Sequence, residues 1–105
     1  MKKYFLFLLG VIGISTVSLA QTEDVKSLQA TARTFMQQGD FDNAIIVLTR
    51  ALQQDKNNLE LQKDLINSYY YKRDYDKALE GVKALMDRSD ADVISYQIAG
   101  NVYKA

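Results

Sequence analysis

The pentapeptide Asp40-Phe41-Asp42-Asn43-Ala44 returns as Asp74-Tyr75-Asp76-Lys77-Ala78, 34 residues further along the chain. A shift of that length belongs to stacked helical units, because one such unit cannot bury its apolar face alone and lays it against a neighbour. The match runs past the pentapeptide. Under the same shift Phe41, Ala44, Ile45, Leu48, Ala51 and Leu52 fall on Tyr75, Ala78, Leu79, Val82, Leu85 and Met86, and Phe35, Tyr69 and Tyr103 stand 34 apart in series. The expected fold is all-α, an α-solenoid of antiparallel helix hairpins with two complete repeats and the first helix of a third. The units span about residues 25–58, 59–92 and 93–105, the last incomplete.

Proline is missing and glycine sparse, so the chain reads as helix after helix with short turns. The first segment runs from about Glu23 to Gln38, with Val25, Leu28, Ala32 and Phe35 on one face, and stops at Gly39. Glycine there accepts the left-handed backbone that other residues resist. Asp40 and Asp74 are placed to cap the second and fourth helices, their carboxylates accepting from the unpaired N–H groups of the first turn. Asn57 and Asn58 are the cap candidates for the third helix, with Glu60 in a weak capping-box position and Leu61, Leu65, Ile66 and Tyr69 as its core face. The fourth is expected over about Tyr75–Arg88. Ser89-Asp90 then open a fifth from about Ala91, whose apolar face is Tyr96, Ala99, Gly100 and Tyr103.

Residues 1–20 read differently. Lys2 and Lys3 precede an almost wholly apolar stretch from Tyr4 to Val17, and Ser18-Leu19-Ala20 offers small residues where a signal peptidase reads. A secretory signal peptide cleaved after Ala20 is expected, leaving 21–105 as the repeat domain. An uncleaved anchor would need about 20 strongly apolar residues, and Gly10, Gly13, Ser15, Thr16 and Ser18 shorten this run. The absence of cysteine removes both a disulfide and a thioether lipid anchor. An exported product, periplasmic or secreted, follows, with no stable membrane span after cleavage.

These residues resemble the tetratricopeptide repeat, a helix–turn–helix unit with the pattern W-x2-L-G-x2-Y, then Ala, an aromatic and Pro. Tyr96, Ala99-Gly100 and Tyr103 stand at those first positions in the third unit. Leu28, Ala32, Phe35, Gly39, Phe41, Ala44, Leu48 and Ala51 fill the pattern in the first, and Leu65, Tyr69, Tyr75, Ala78 and Val82 in the second. Departures are Lys56 and Asp90 in place of the proline, Gln62 at the large position of unit two, and Arg73 where unit one has glycine.

The resemblance implies a partner on the concave face lined by the first helix of each unit. Residues projecting there are Lys26, Gln29, Arg33 and Met36, then Glu60, Lys63, Asn67, Tyr70 and Tyr71, then Ile94, Gln97, Asn101 and Lys104. Such a polar, mildly basic groove suits an extended peptide or short helix with some acidic character. Some relatives clamp a C-terminal carboxylate with Lys and Asn four residues apart and a further Asn in the next unit. Lys63 and Asn67 have that spacing, but Ile98 stands where the further Asn is needed, so the clamp is incomplete.

Enzyme chemistry is not expected. Histidine and cysteine are absent, no Gly-rich phosphate loop occurs, and Asp40/Asp42 and Asp74/Asp76 sit where helix starts account for them. No cofactor and no metal are expected. Residues 21–105 carry 11 basic and 13 acidic side chains, interspersed, which argues against a nucleic-acid face. The function expected is a non-catalytic scaffold or adaptor of the cell envelope or periplasm. The alternatives are the N-terminal sensor or docking segment of a larger envelope protein, and a structural homo-oligomer formed through an uncapped C-terminal helix.

Overall fold

A computed structural model describes residues 24–105; the expected signal segment and its cleavage point lie outside the described residues. Five helices follow one another: α1 (Val25–Gln37), α2 (Phe41–Gln54), α3 (Leu59–Lys72), α4 (Tyr75–Met86) and α5 (Val93–Lys104). No strand occurs among the described residues.

Each helix begins on a side chain that accepts a first-turn N–H: Asp24 from Lys26, Asp40 from Asn43, Asn58 from Leu61, Asp74 from Lys77 and Asp92 from Ser95. Asn58, not Asn57, is the cap of α3, and Glu60 turns to Lys63 instead of back to the cap. The start of α5 corrects the sequence expectation. Asp92 caps it in a full capping box with Ser95, two residues beyond Asp90, because the Asp90 carboxylate is taken by the Arg88 guanidinium at 2.7 and 2.8 Å.

The repeat shows itself in burial. Ala44, Leu48 and Ala51 of α2 are wholly buried, and so are Ala78, Val82 and Leu85 of α4, one shift later. Only the first pair differs, Phe41 being half-buried and Tyr75 exposed. The core has two clusters. Leu28, Ala32, Leu48, Ala51 and Leu61 form the first; Ile66, Ala78, Val82, Leu85, Ile98, Ala99 and Val102 form the second. The helix α3 supplies Leu61 to one and Ile66 to the other, so it is the shared wall that lets each hairpin bury what it could not bury alone. The backbones of α2 and α4 make no contact with each other, α3 lying between them.

The buried face of α5 also differs from expectation. Ser95, Ile98, Ala99 and Val102 are buried, while Tyr96 and Tyr103 are 63% and 61% exposed. A first helix in such a stack has two apolar sides, one for the preceding unit and one for its own second helix. The face carried forward by the shift through Tyr96, Gly100 and Tyr103 is the second kind. Among the described residues no helix lies on it.

Candidate partner-binding surface

The odd-numbered helices bring the expected face together as rows across the stack. The 34-residue shift aligns Gln29, Lys63 and Gln97 in one row and Arg33, Asn67 and Asn101 in the next. The two cations in these rows are paired with carboxylates beside them. Arg33 Nε of α1 donates to Asp64 Oδ2 of α3 at 2.9 Å, with Glu60 at 3.9 Å from its other nitrogen. Lys63 Nζ donates to Glu60 at 3.1 Å and to Asp92, the cap of α5, at 2.7 Å. The two pairs tie α1 to α3 and α3 to α5.

Lys63 is 4% exposed, an unusual place for a lysine that its two carboxylate partners explain. The Asp92 hydrogen bond raises its pKa against the opposing effect of burial. Asp92 is held well below the usual carboxylate range, first by Lys63 and then by the N–H and hydroxyl of Ser95. The ammonium sequence reasoning offered to a partner is thus engaged within the chain, and Ile98, at the missing clamp position, is buried.

The remaining expected residues divide. Lys26, Gln97 and Asn101 are exposed, and Gln29 and Asn67 are half-buried. Neither Asn67 nor Asn101 makes a side-chain hydrogen bond to another described residue. Met36 packs against the first core cluster. Tyr70 packs against the second, and its ring meets Tyr71 at 5.2 Å and Tyr75 at 5.9 Å. Tyr71 stacks on Phe41 at 5.6 Å. These rings run along the edge where first helices turn into second ones, beside the Lys72–Asp42 ion pair at 2.6 Å, whose hydrogen bond raises the lysine pKa.

Sequence reasoning missed two features. One is Asp92, 29 residues from Lys63 and outside any within-helix spacing rule. The other is Arg88, which donates to Asn57 O at 2.7 Å and to Gln62 Oε1 at 2.9 Å besides gripping Asp90, and so fastens the end of the second hairpin to the start of α3. Among the described residues no group of three or more His, Cys, Asp or Glu is placed to hold a metal ion, and no helix is long and apolar enough to cross a membrane.

Antiparallel hairpins that share walls, with aligned polar rows on their first helices, define a helical-repeat protein. The tetratricopeptide repeat family model matches residues 35–99. The chain belongs to that family, whose repeats generally mediate protein–protein interaction. No curated protein matches the chain significantly.

Proposed function

We propose that the protein is a non-catalytic scaffold of the cell envelope or periplasm, exported with cleavage after Ala20, whose first-helix face holds an extended segment of a partner protein. The observation that carries the reading is the asparagine pair. Asn67 and Asn101 occupy one repeat position in successive first helices, and their amides have no hydrogen-bond partner among the described residues. A carboxamide both donates and accepts, so two of them in register suit a peptide backbone, which offers one donor and one acceptor per residue. With Arg33 and Lys63 neutralised internally, recognition rests on these neutral groups more than on net charge.

The test is a photo-crosslinking amino acid placed at position 97 in the living source cell, followed by mass spectrometry and comparison with Asn67→Ala/Asn101→Ala. A discrete crosslinked partner lost in the double variant supports the reading; crosslinks unchanged by it refute the groove. Export is tested separately by N-terminal sequencing, with Gln21 as the expected first residue.

A second reading is favoured by α5, where Val93, Ile94, Tyr96 and Tyr103 are all at least half exposed. A nearly uncharged, aromatic helix side suits a second copy of the chain, making a homo-oligomer. A sedimentation mass that stays monomeric up to high concentration, with Tyr96→Ser/Tyr103→Ser unchanged from the parent, eliminates it.

A further inference from the structure

On the side of α3 turned away from Lys63 and Asn67 lies a cleft of about 330 Å³, lined by Leu52, Lys56, Gln62, Leu65, Ile66, Gly81 and Ala84. Its floor is α3, one wall is the end of α2, and the other wall is α4. The second wall owes its setback to small residues. Under the repeat shift Gly81 and Ala84 occupy the positions of Val47 and Arg50 in the first hairpin, so side chains that would fill this space are absent from unit two. At Gly81 a Cβ would lie 2.5 Å from Ile66 Cγ1, so the Ile66 side chain takes the space a side chain at position 81 would need.

Among the residues lining the cleft, Lys56 is the charged one. Lys56 has no hydrogen bond or ion pair to another described residue. Arg88, which reaches Gln62 at the same lip, is by contrast balanced by Asp90. Leu52, Leu65, Ile66 and Ala84 offer only carbon. An apolar cavity with one bare cation at its rim selects an apolar group that carries a negative charge beside it. The volume stands at the low end of the roughly 300–1,000 Å³ range of ligand-holding clefts and fits bulky side chains better than a large cofactor.

We propose that this cleft is a second docking site, independent of the first-helix face, for a partner-protein segment that seats a bulky apolar side chain on Leu65 and Ile66 and places an adjacent carboxylate on Lys56. Binding here leaves the Asn67–Asn101 row open, so the protein holds two segments at once, one on each side of α3.

The probe is a fluorescein-labelled, Ala-based 12-residue helical peptide containing Leu-Glu-Ala-Ala-Leu, titrated by anisotropy against the full chain as the cell processes it. Saturable binding is expected. Ala84→Trp fills the cleft from an exposed helix position and should weaken binding at least tenfold with helix content retained by circular dichroism. Lys56→Glu should weaken it comparably and restore a peptide in which Lys replaces the Glu. Gln97→Ala/Asn101→Ala should leave it within twofold, which separates this site from the first-helix face. The proposal is overturned by absent binding, by binding indifferent to both Ala84→Trp and Lys56→Glu, or by loss in the Gln97/Asn101 variant. Sodium laurate that binds more tightly than the peptide, with the same dependence on Lys56, would replace the partner segment by a free amphiphile.

Discussion

The two hairpins reach one backbone with different residues. The first turns through Gly39 at φ 76°, the second through Arg73 at φ 70°. Around these positions the hydrogen bonds agree pair by pair: Gly39 N to Met36 O and Arg73 N to Tyr70 O are both 3.0 Å, and Asp40 N to Phe35 O at 2.8 Å matches Asp74 N to Tyr69 O at 2.9 Å. A left-handed conformation costs a residue with a Cβ about 1–2 kcal/mol, so the second turn is held against a strain that the first avoids. The common elements, an aspartate cap and the buried alanine four residues after it, are therefore what hold the turn; glycine eases it.

A second difference is reciprocal. Hairpin one pairs small Ala32 on its first helix with Val47 on its second, and hairpin two pairs Ile66 with Gly81 at the same positions. The large partner has changed sides, and at this one pair Ile66 takes the space that a side chain at Gly81 would need. What the repeat keeps constant is the summed size across the pair, as close-packed interiors demand.

The broadest test of equivalence is truncation at matched depth. Leu48→Ala and Leu85→Ala, one in each hairpin and both wholly buried, are each expected to cost about 2–5 kcal/mol in urea unfolding. Because α3 belongs to both clusters, either variant should shift a single transition; separate transitions would show that the hairpins do not share a fate. The reciprocal pairing is tested next. Gly81→Val forces a side chain onto Ile66 and should lose about 1–3 kcal/mol, while adding Ile66→Ala, which rebuilds the arrangement of hairpin one, should recover a measurable part through favourable coupling. Additive losses would break the comparison.

Smaller effects come from the turns. Gly39→Arg should destabilise by about 1 kcal/mol, whereas Arg73→Gly should gain somewhat less, since glycine also enlarges the freedom of the unfolded chain. The pH dependence is expected to be the slightest. Asp92 has a folded pKa depressed below its ordinary 3.8, so its contribution is present above that value and fades as pH falls further. Thermal midpoints of the parent and Asp92→Asn should differ near neutrality and converge in acid. A gap that persists at low pH would assign the effect to lost cap geometry in place of charge.

Much of this architecture was legible because it is periodic. The shift placed α2 and α4 with their buried triplets, and Asp40 and Asp74 announced their starts. Where legibility failed, the cause was a contact between units. Ser89-Asp90 has cap chemistry, but Arg88 claims Asp90, and the helix waits for Asp92. Ile98 and Val102 lay four residues apart as a readable apolar pair, yet the shift drew attention to Tyr96 and Tyr103, whose counterparts meet a second helix that α5 lacks among the described residues. For the site, the polar rows could be drawn from the sequence. That Lys63 would be withdrawn into an ion pair, and that small residues on α4 would open a cleft behind α3, depended on how neighbouring units sit.

The ion pairs from Arg33 to Asp64 and from Lys63 to Asp92 lie along one edge of the stack, while on the opposite edge the backbones of α2 and α4 make no contact. Bending therefore has an easy and a hard direction. Spreading the first helices breaks charged ties between helices, whereas spreading the second helices widens a gap already there and strains the Arg88–Asn57 hydrogen bond beyond their ends. The chain behaves like a hinge strip with its stiff ply along the first helices, and any tension a partner applies is taken up as an opening between α2 and α4.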